Sequence, residues 1–168
     1  HGEMSRRVFA LLDVTANARI THKRPPFGIK TVSAGNQIVP VREEVALKLP
    51  FGDLLHFAKD GIDAPQPKIL VVAPLSGHFA TLLRSTVATL LQDHDVYITD
   101  WRNARDVPLS EGDFGLDDYV DYVIRFLEEI GPRPHMLAVC QPCVPALVAA
   151  SIMAEDNNPA QPRTMTLM

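Results

Sequence analysis

The run Ile69-Leu70-Val71-Val72-Ala73 constrains the fold most. Every position is apolar, so a strand built from it has no face to turn to water and must be covered on both sides. The next stretch has a different period. Phe79, Leu82, Leu83, Val87, Leu90 and Leu91 recur at helical spacing. Val96-Tyr97-Ile98 is a short strand. Leu116, Tyr119, Val120, Val123, Ile124, Leu127 and Ile130 then give a second apolar helix face. Asp113 and Asp117 lie near its start and Gly131-Pro132 just past its end, as helix termini require. Met136–Val139 is a third strand, Val144–Ala154 a third helix, and Thr164–Leu167 opens a fourth strand. Strand alternating with helix implies an α/β fold with a mostly parallel sheet and helices on both faces.

The first part of the chain reads differently. Residues 4–14 have helical spacing (Met4, Val8, Phe9, Leu11, Leu12), and Lys23-Arg24-Pro25-Pro26 ends that pattern. Ile29–Val32 and Gln37–Val41 flank the turn-like cluster Ser33-Ala34-Gly35-Asn36. Val45–Leu49 and Asp53–Ala58 are joined by Pro50-Phe51-Gly52, which predicts an antiparallel hairpin ahead of the parallel strands. The last strand, Thr164–Leu167, would stand as an apolar edge with no helix after it. The expectation is therefore an N-terminal portion of a larger domain.

Composition excludes some function classes. A net charge of −4 with no basic stripe argues against nucleic acid as a partner. No apolar run is long enough to span a membrane. The chain opens on His1 rather than Met, which leaves a removed targeting segment open. Two cysteines three apart are no secreted disulfide framework, and a cytoplasmic location is the default reading. No phosphate or dinucleotide motif occurs, and no cofactor or metal is expected.

Candidate chemistry sits at Cys140, where Met136-Leu137-Ala138-Val139 meets Gln141-Pro142-Cys143 and a helix. A nucleophile at such a corner stands above the C-terminal edge of a sheet, with backbone N–H groups beside it for an oxyanion. Ala138-Val139-Cys140-Gln141-Pro142 has the loose form small-x-nucleophile-x-small, with Ala and Pro where the usual turn carries Gly. The Gln141 N–H is one candidate oxyanion donor. The loop Pro74-Leu75-Ser76-Gly77-His78, directly after the first parallel strand, offers the other through Ser76 and Gly77. His78, Asp100 and Trp101 are possible site-lining residues. His78 reads equally as a structural loop histidine, and Asp100-Trp101-Arg102 as a capped loop with the indole packed over the sheet. Cys140 itself reads equally as a buried structural thiol. Cys140-Gln141-Pro142-Cys143 also has the form of a thioredoxin-type dithiol, although two strand-helix units and a hairpin precede it. A zinc site would need two more ligands at usable spacing, and His135 lies at the far end of its strand.

Three segments carry a family resemblance: Ala73 to Arg84, Asp93 to Trp101, and Ala138 to Pro142. Together they resemble the intracellular polyhydroxyalkanoate (polyhydroxybutyrate) depolymerases, cysteine-dependent members of the α/β-hydrolase fold. The similarity runs from about Phe51 to Met168. The spacing of residues 4–14 gives an N-terminal helix and extension over 1–42, and the resemblance implies the N-terminal part of an α/β-hydrolase domain over 43–168. It further implies hydrolysis of stored 3-hydroxyalkanoate polyester, with Cys140 as the nucleophile and polymer or the storage-granule surface as partner. Cys143 has no role in that signature. The family's Asp and His partners would lie beyond Met168, and all six histidines of the chain precede Cys140, so this chain alone is expected to be nearly inactive. The alternatives are a polyester synthase or other acyltransferase, a non-catalytic granule-binding protein, and a dithiol oxidoreductase.

Overall fold

The computed structural model describes residues 2–18, 23–62, 64–75 and 79–168. A first helix, α1 (Glu3–Asn17), precedes strands β1 (Thr31–Ala34), β2 (Gln37–Lys48), β3 (Gly52–Lys59) and β4 (Lys68–Val72). A short 3-10 turn (Ala80–Leu83) runs into α2 (Arg84–Leu90), followed by β5 (Asp95–Trp101) and α3 (Leu116–Ile130). Then come β6 (His135–Ala138), α4 (Cys143–Glu155) and β7 (Thr164–Leu167). The strands form one sheet in the order β1-β2-β3-β5-β4-β6-β7. β1, β2, β3 and β5 pair antiparallel in succession, while β5-β4, β4-β6 and β6-β7 pair parallel. Five strands (β2, β4, β5, β6 and β7) therefore point the same way, giving the expected mixed, mostly parallel sheet.

The apolar run predicted to need cover on both faces has it. Leu70 and Val72 face a core built with α3 and α4, and Ile69, Val71 and Ala73 face a second core built with α2. All but Ile69 (7%) are 0% exposed. Truncating Leu70 to Ala at such a site costs about 2–5 kcal/mol. β6 splits the same way, with Met136 and Ala138 on one side and Leu137 on the other.

Helix ends are tied to the strands. α3 buries Tyr119, Val120, Tyr122, Val123, Phe126, Leu127 and Ile130 along one stripe. The Asp118 carboxylate accepts from the Gly115 N–H at 2.7 Å at its start. At its end Gly131 has φ 96°, and Lys68 Nζ donates to the Ile130 carbonyl at 2.6 Å, placing positive charge where the last carbonyls are exposed. Lys59 does the same beyond α2, donating to Leu91 O and His94 O at 2.6 Å each.

Two elements differ from the sequence reading. The separate strands 37–41 and 45–49 are one long strand, β2, with a bulge between Val45 and Leu47. The intervening Arg42-Glu43-Glu44 continue it because their side chains reach ionic partners: Arg42 pairs with Asp60 and Glu44, and Glu43 with Arg24. Polar residues on a solvated strand face need not break the strand. The helix predicted from Phe79 onward is a 3-10 turn for its first four residues and becomes α-helical only at Arg84. α1 forms as its spacing predicts, yet Met4, Val8, Phe9, Leu11 and Leu12 on it are all more than half exposed. Among the described residues no helix is long and apolar enough to cross a membrane.

Candidate active site

The corner after β6 has an unusual backbone. Val139 N–H still donates to Val72 O at 3.3 Å, as in the ladder. Cys140 then turns to φ 68°, the left-handed region. For a residue with a Cβ this costs about 1–2 kcal/mol, and such strain persists only where the surroundings hold it. Here Cys140 N–H donates to Met168 O at 2.7 Å, and Cys143 N–H closes the turn onto Cys140 O at 3.1 Å. Pro142, with φ −60°, stands as the N-cap of α4, where a missing N–H is no loss. Cys140 is exposed and Cys143 half-buried. The Cys143 Sγ lies 3.5 Å from both Ala138 O and Met168 O.

Gln141 comes next, on the exposed side of the turn. Among the described residues no backbone hydrogen bond uses its N–H. Its side chain faces the loop after β4, where Oε1 accepts the Leu75 N–H at 3.3 Å. Ser76, Gly77 and His78, which continue that loop, lie outside the described residues.

Behind this loop the end of β4 is fixed by three bonds to one residue. Ala73 N–H donates to Thr99 Oγ1 at 2.9 Å. Ala73 O accepts from Trp101 Nε1 at 2.9 Å and from Tyr119 Oη at 3.3 Å. Burial pushes the Tyr119 phenol above its usual range, so it remains a protonated donor. Trp101 is only 6% exposed. Its ring lies 4.5 Å from Tyr119 and 5.8 Å from Phe114. The indole is thus packed against the sheet, supporting the β4 end from beneath. Gly52 allows this: a Cβ there would meet Trp101 Cε3 at 2.7 Å.

Asp100 is engaged elsewhere. Its carboxylate pairs with Arg24 Nε at 2.6 Å, and Arg24 also reaches Glu43 at 2.9 Å. Burial pushes the Asp100 carboxyl above its ordinary value, with Arg24 offsetting part of the rise. Burial works against the charge on Arg24 as well, but Asp100 and Glu43 outweigh it and hold the guanidinium above its ordinary value. The described histidines do not meet Cys140. His135 opens β6 and bonds Thr164, His94 stacks edge-on against His135, and His56 reaches Asp95 at the first position of β5. Among the described residues no group of three or more His, Cys, Asp or Glu is placed to hold a metal.

Thr99, Tyr119 and Arg24 were not singled out from the sequence. Thr99 carries a faint signal, being a polar residue that directly follows the short apolar strand run Val96-Tyr97-Ile98. Tyr119 hides among the core residues of α3, and Arg24 sits in a segment with no period.

No family profile matches the chain, and no curated protein matches it. Solved structures do. Naproxen esterase (carboxylesterase NP) from Bacillus subtilis aligns with TM-score 0.51 at 16% identity, over 77% of this chain and 42% of the esterase. Brefeldin A esterase, a bacterial homologue of human hormone-sensitive lipase, aligns with TM-score 0.50 at 13% identity, over 94% of this chain and 45% of that one. The chain spans less than half the length of either esterase. Sheet order, strand directions and these alignments agree on one conclusion: the chain has the α/β-hydrolase fold, as a 168-residue portion of it.

Proposed function

We propose that Cys140 is the nucleophile of a carboxylic ester hydrolase acting on intracellular storage polyester, poly-3-hydroxyalkanoate, at the granule surface. The observation that carries this reading is the exposed Cys140 at φ 68° between β6 and α4. A side chain held in a strained strand-to-helix corner is the arrangement that presents a nucleophile in this fold. The polyester as substrate rests on the sequence resemblance.

Cys140 Sγ attacks the ester carbonyl carbon, and the carbonyl electrons move to oxygen. The Gln141 N–H and an N–H of the Ser76–Gly77 loop receive that oxyanion, each such donor being worth about 10²–10³ in rate. The intermediate collapses with loss of the alcohol end of the polymer, which takes up a proton, and leaves a thioester on Cys140. Water adds to the thioester and releases the 3-hydroxy acid and the thiol. The sequence resemblance implies that an Asp and a His assist these proton transfers. Trp101 supports the end of β4 through its bond to Ala73 O, His78 is proposed to line the site, and Asp100 takes no part because Arg24 holds it.

The test is release of 3-hydroxybutyrate from amorphous polymer granules by the whole protein carrying this chain, as wild type, Cys140→Ala and Cys143→Ala. Loss in Cys140→Ala alone is the expected result. Full activity in Cys140→Ala would make that residue structural.

A further inference from the structure

The second cysteine has no part in ester cleavage, yet the turn brings it to the first. Cys143 N–H bonds Cys140 O at 3.1 Å. A four-residue turn closed in this way holds its end Cα atoms within about 7 Å, and disulfides bridge Cα separations of about 4.4–6.8 Å. One carbonyl oxygen links the two residues further: Met168 O lies 2.7 Å from the Cys140 nitrogen and 3.5 Å from Cys143 Sγ. Cys140 is exposed, so a small oxidant reaches it first, while Cys143 is half-buried. The chain has only these two cysteines, so neither sulfur has another partner within it.

We propose that Cys143 is the resolving cysteine of a peroxide-sensitive disulfide that reversibly closes the site. This rests on the reading of Cys140 as nucleophile. The Cys140 thiolate attacks one oxygen of a hydroperoxide. An S–O bond forms, the O–O bond breaks, and hydroxide (or an alkoxide) leaves, giving the sulfenic acid. The Cys143 sulfur then attacks the Cys140 sulfur. The S–S bond forms, the S–O bond breaks, and water departs with the Cys143 proton. Two electrons pass from the sulfur pair to the peroxide. Hydrolysis stops because the nucleophile is tied up, and a dithiol reductant returns both thiols. Without Cys143 the sulfenic acid would proceed to the sulfinic acid, which thiols do not reverse. The pair thus protects the nucleophile as well as silencing it.

The experiment treats the whole protein with hydrogen peroxide, as wild type and as Cys143→Ser. It follows the mass of the peptide carrying both cysteines, maleimide labelling before and after dithiothreitol, and ester hydrolysis. Expected for wild type is a peptide lighter by two hydrogens, no labelling, lost hydrolysis, and recovery of all three with dithiothreitol. Expected for Cys143→Ser is normal hydrolysis before treatment, then a peptide heavier by two oxygens and a loss that dithiothreitol does not reverse. Wild-type protein that gains oxygen at Cys140 with Cys143 still labelled, or that cross-links between molecules, overturns the proposal and leaves the nucleophile assignment intact. A disulfide that forms without any loss of hydrolysis overturns the regulatory role and the nucleophile assignment together.

Discussion

The Leu75 amide donates to Oε1 of Gln141 across 3.3 Å, tying the loop after β4 to the residue next to Cys140. The two proposed sources of oxyanion donors are therefore joined by a side chain, independently of the backbone N–H that Gln141 itself presents. Gln141→Ala keeps that N–H and removes the tie. One exposed hydrogen bond is worth about 1 kcal/mol, so a kcat reduction of about fivefold is expected. KM should change less, and folding should be unaffected. Steady-state hydrolysis of a soluble 3-hydroxybutyrate ester by the whole protein checks this; an unchanged kcat would mean that the loop is held by other contacts.

Gly52 lies against Trp101, with only 2.7 Å between its ideal Cβ position and Cε3 of the indole. Trp101 is packed among Phe114, Tyr119, Tyr122 and Phe126 and has little room to retreat. Gly52→Ala should destabilise the fold by about 1–3 kcal/mol. Urea unfolding of wild type and Gly52→Ala, followed by far-ultraviolet circular dichroism, reads the shift directly.

Ala73 O takes two donors, Trp101 Nε1 and Tyr119 Oη. Removing either leaves the carbonyl one partner, while removing both leaves it buried and unsatisfied, at a cost of about 1–3 kcal/mol. Trp101→Phe and Tyr119→Phe are therefore expected to be non-additive, with the double variant losing more than the sum. Strict additivity in a denaturation cycle would show that water reaches the carbonyl in the single variants.

Asp100 makes stability depend on pH. Its folded pKa lies above the ordinary 3.8, burial being the main cause. The folded state thus binds this proton more tightly than the unfolded one. The contribution is complete below the ordinary value and is lost as pH rises through the folded value. The unfolding free energy of wild type relative to Asp100→Asn should therefore fall over that window and level off above it. Urea titrations of both proteins across acidic to neutral pH measure it. A relative stability that rises with pH would mean that the Arg24 pair dominates the burial.

The parallel half of the sheet is legible in the sequence because its strands are buried on both faces. A run such as 69–73 has only one way to be satisfied, and α3 carries a clear apolar stripe that ends at Gly131. The long β2 is less legible, since Arg42-Glu43-Glu44 reads as a break until its ionic partners Asp60 and Arg24 are known. The corner at Cys140 can be read as a strand-to-helix junction. Its positive φ cannot, because the residue is not glycine and the Met168 bond that helps hold it comes from 28 positions away. The ties from Ala73 to Thr99, Trp101 and Tyr119 join residues 26 to 46 positions apart, and no local pattern announces them.

The proposed chemistry stands or falls on an acyl group passing through Cys140. The most direct measurement mixes the whole protein with an activated 3-hydroxybutyrate ester, quenches in acid within one turnover, and maps the acylated peptide by mass. The expected product is a 3-hydroxybutyryl thioester on Cys140, cleaved by neutral hydroxylamine and absent from Cys140→Ala. An acyl group on another residue, or turnover that continues undiminished in Cys140→Ala, would contradict the assignment.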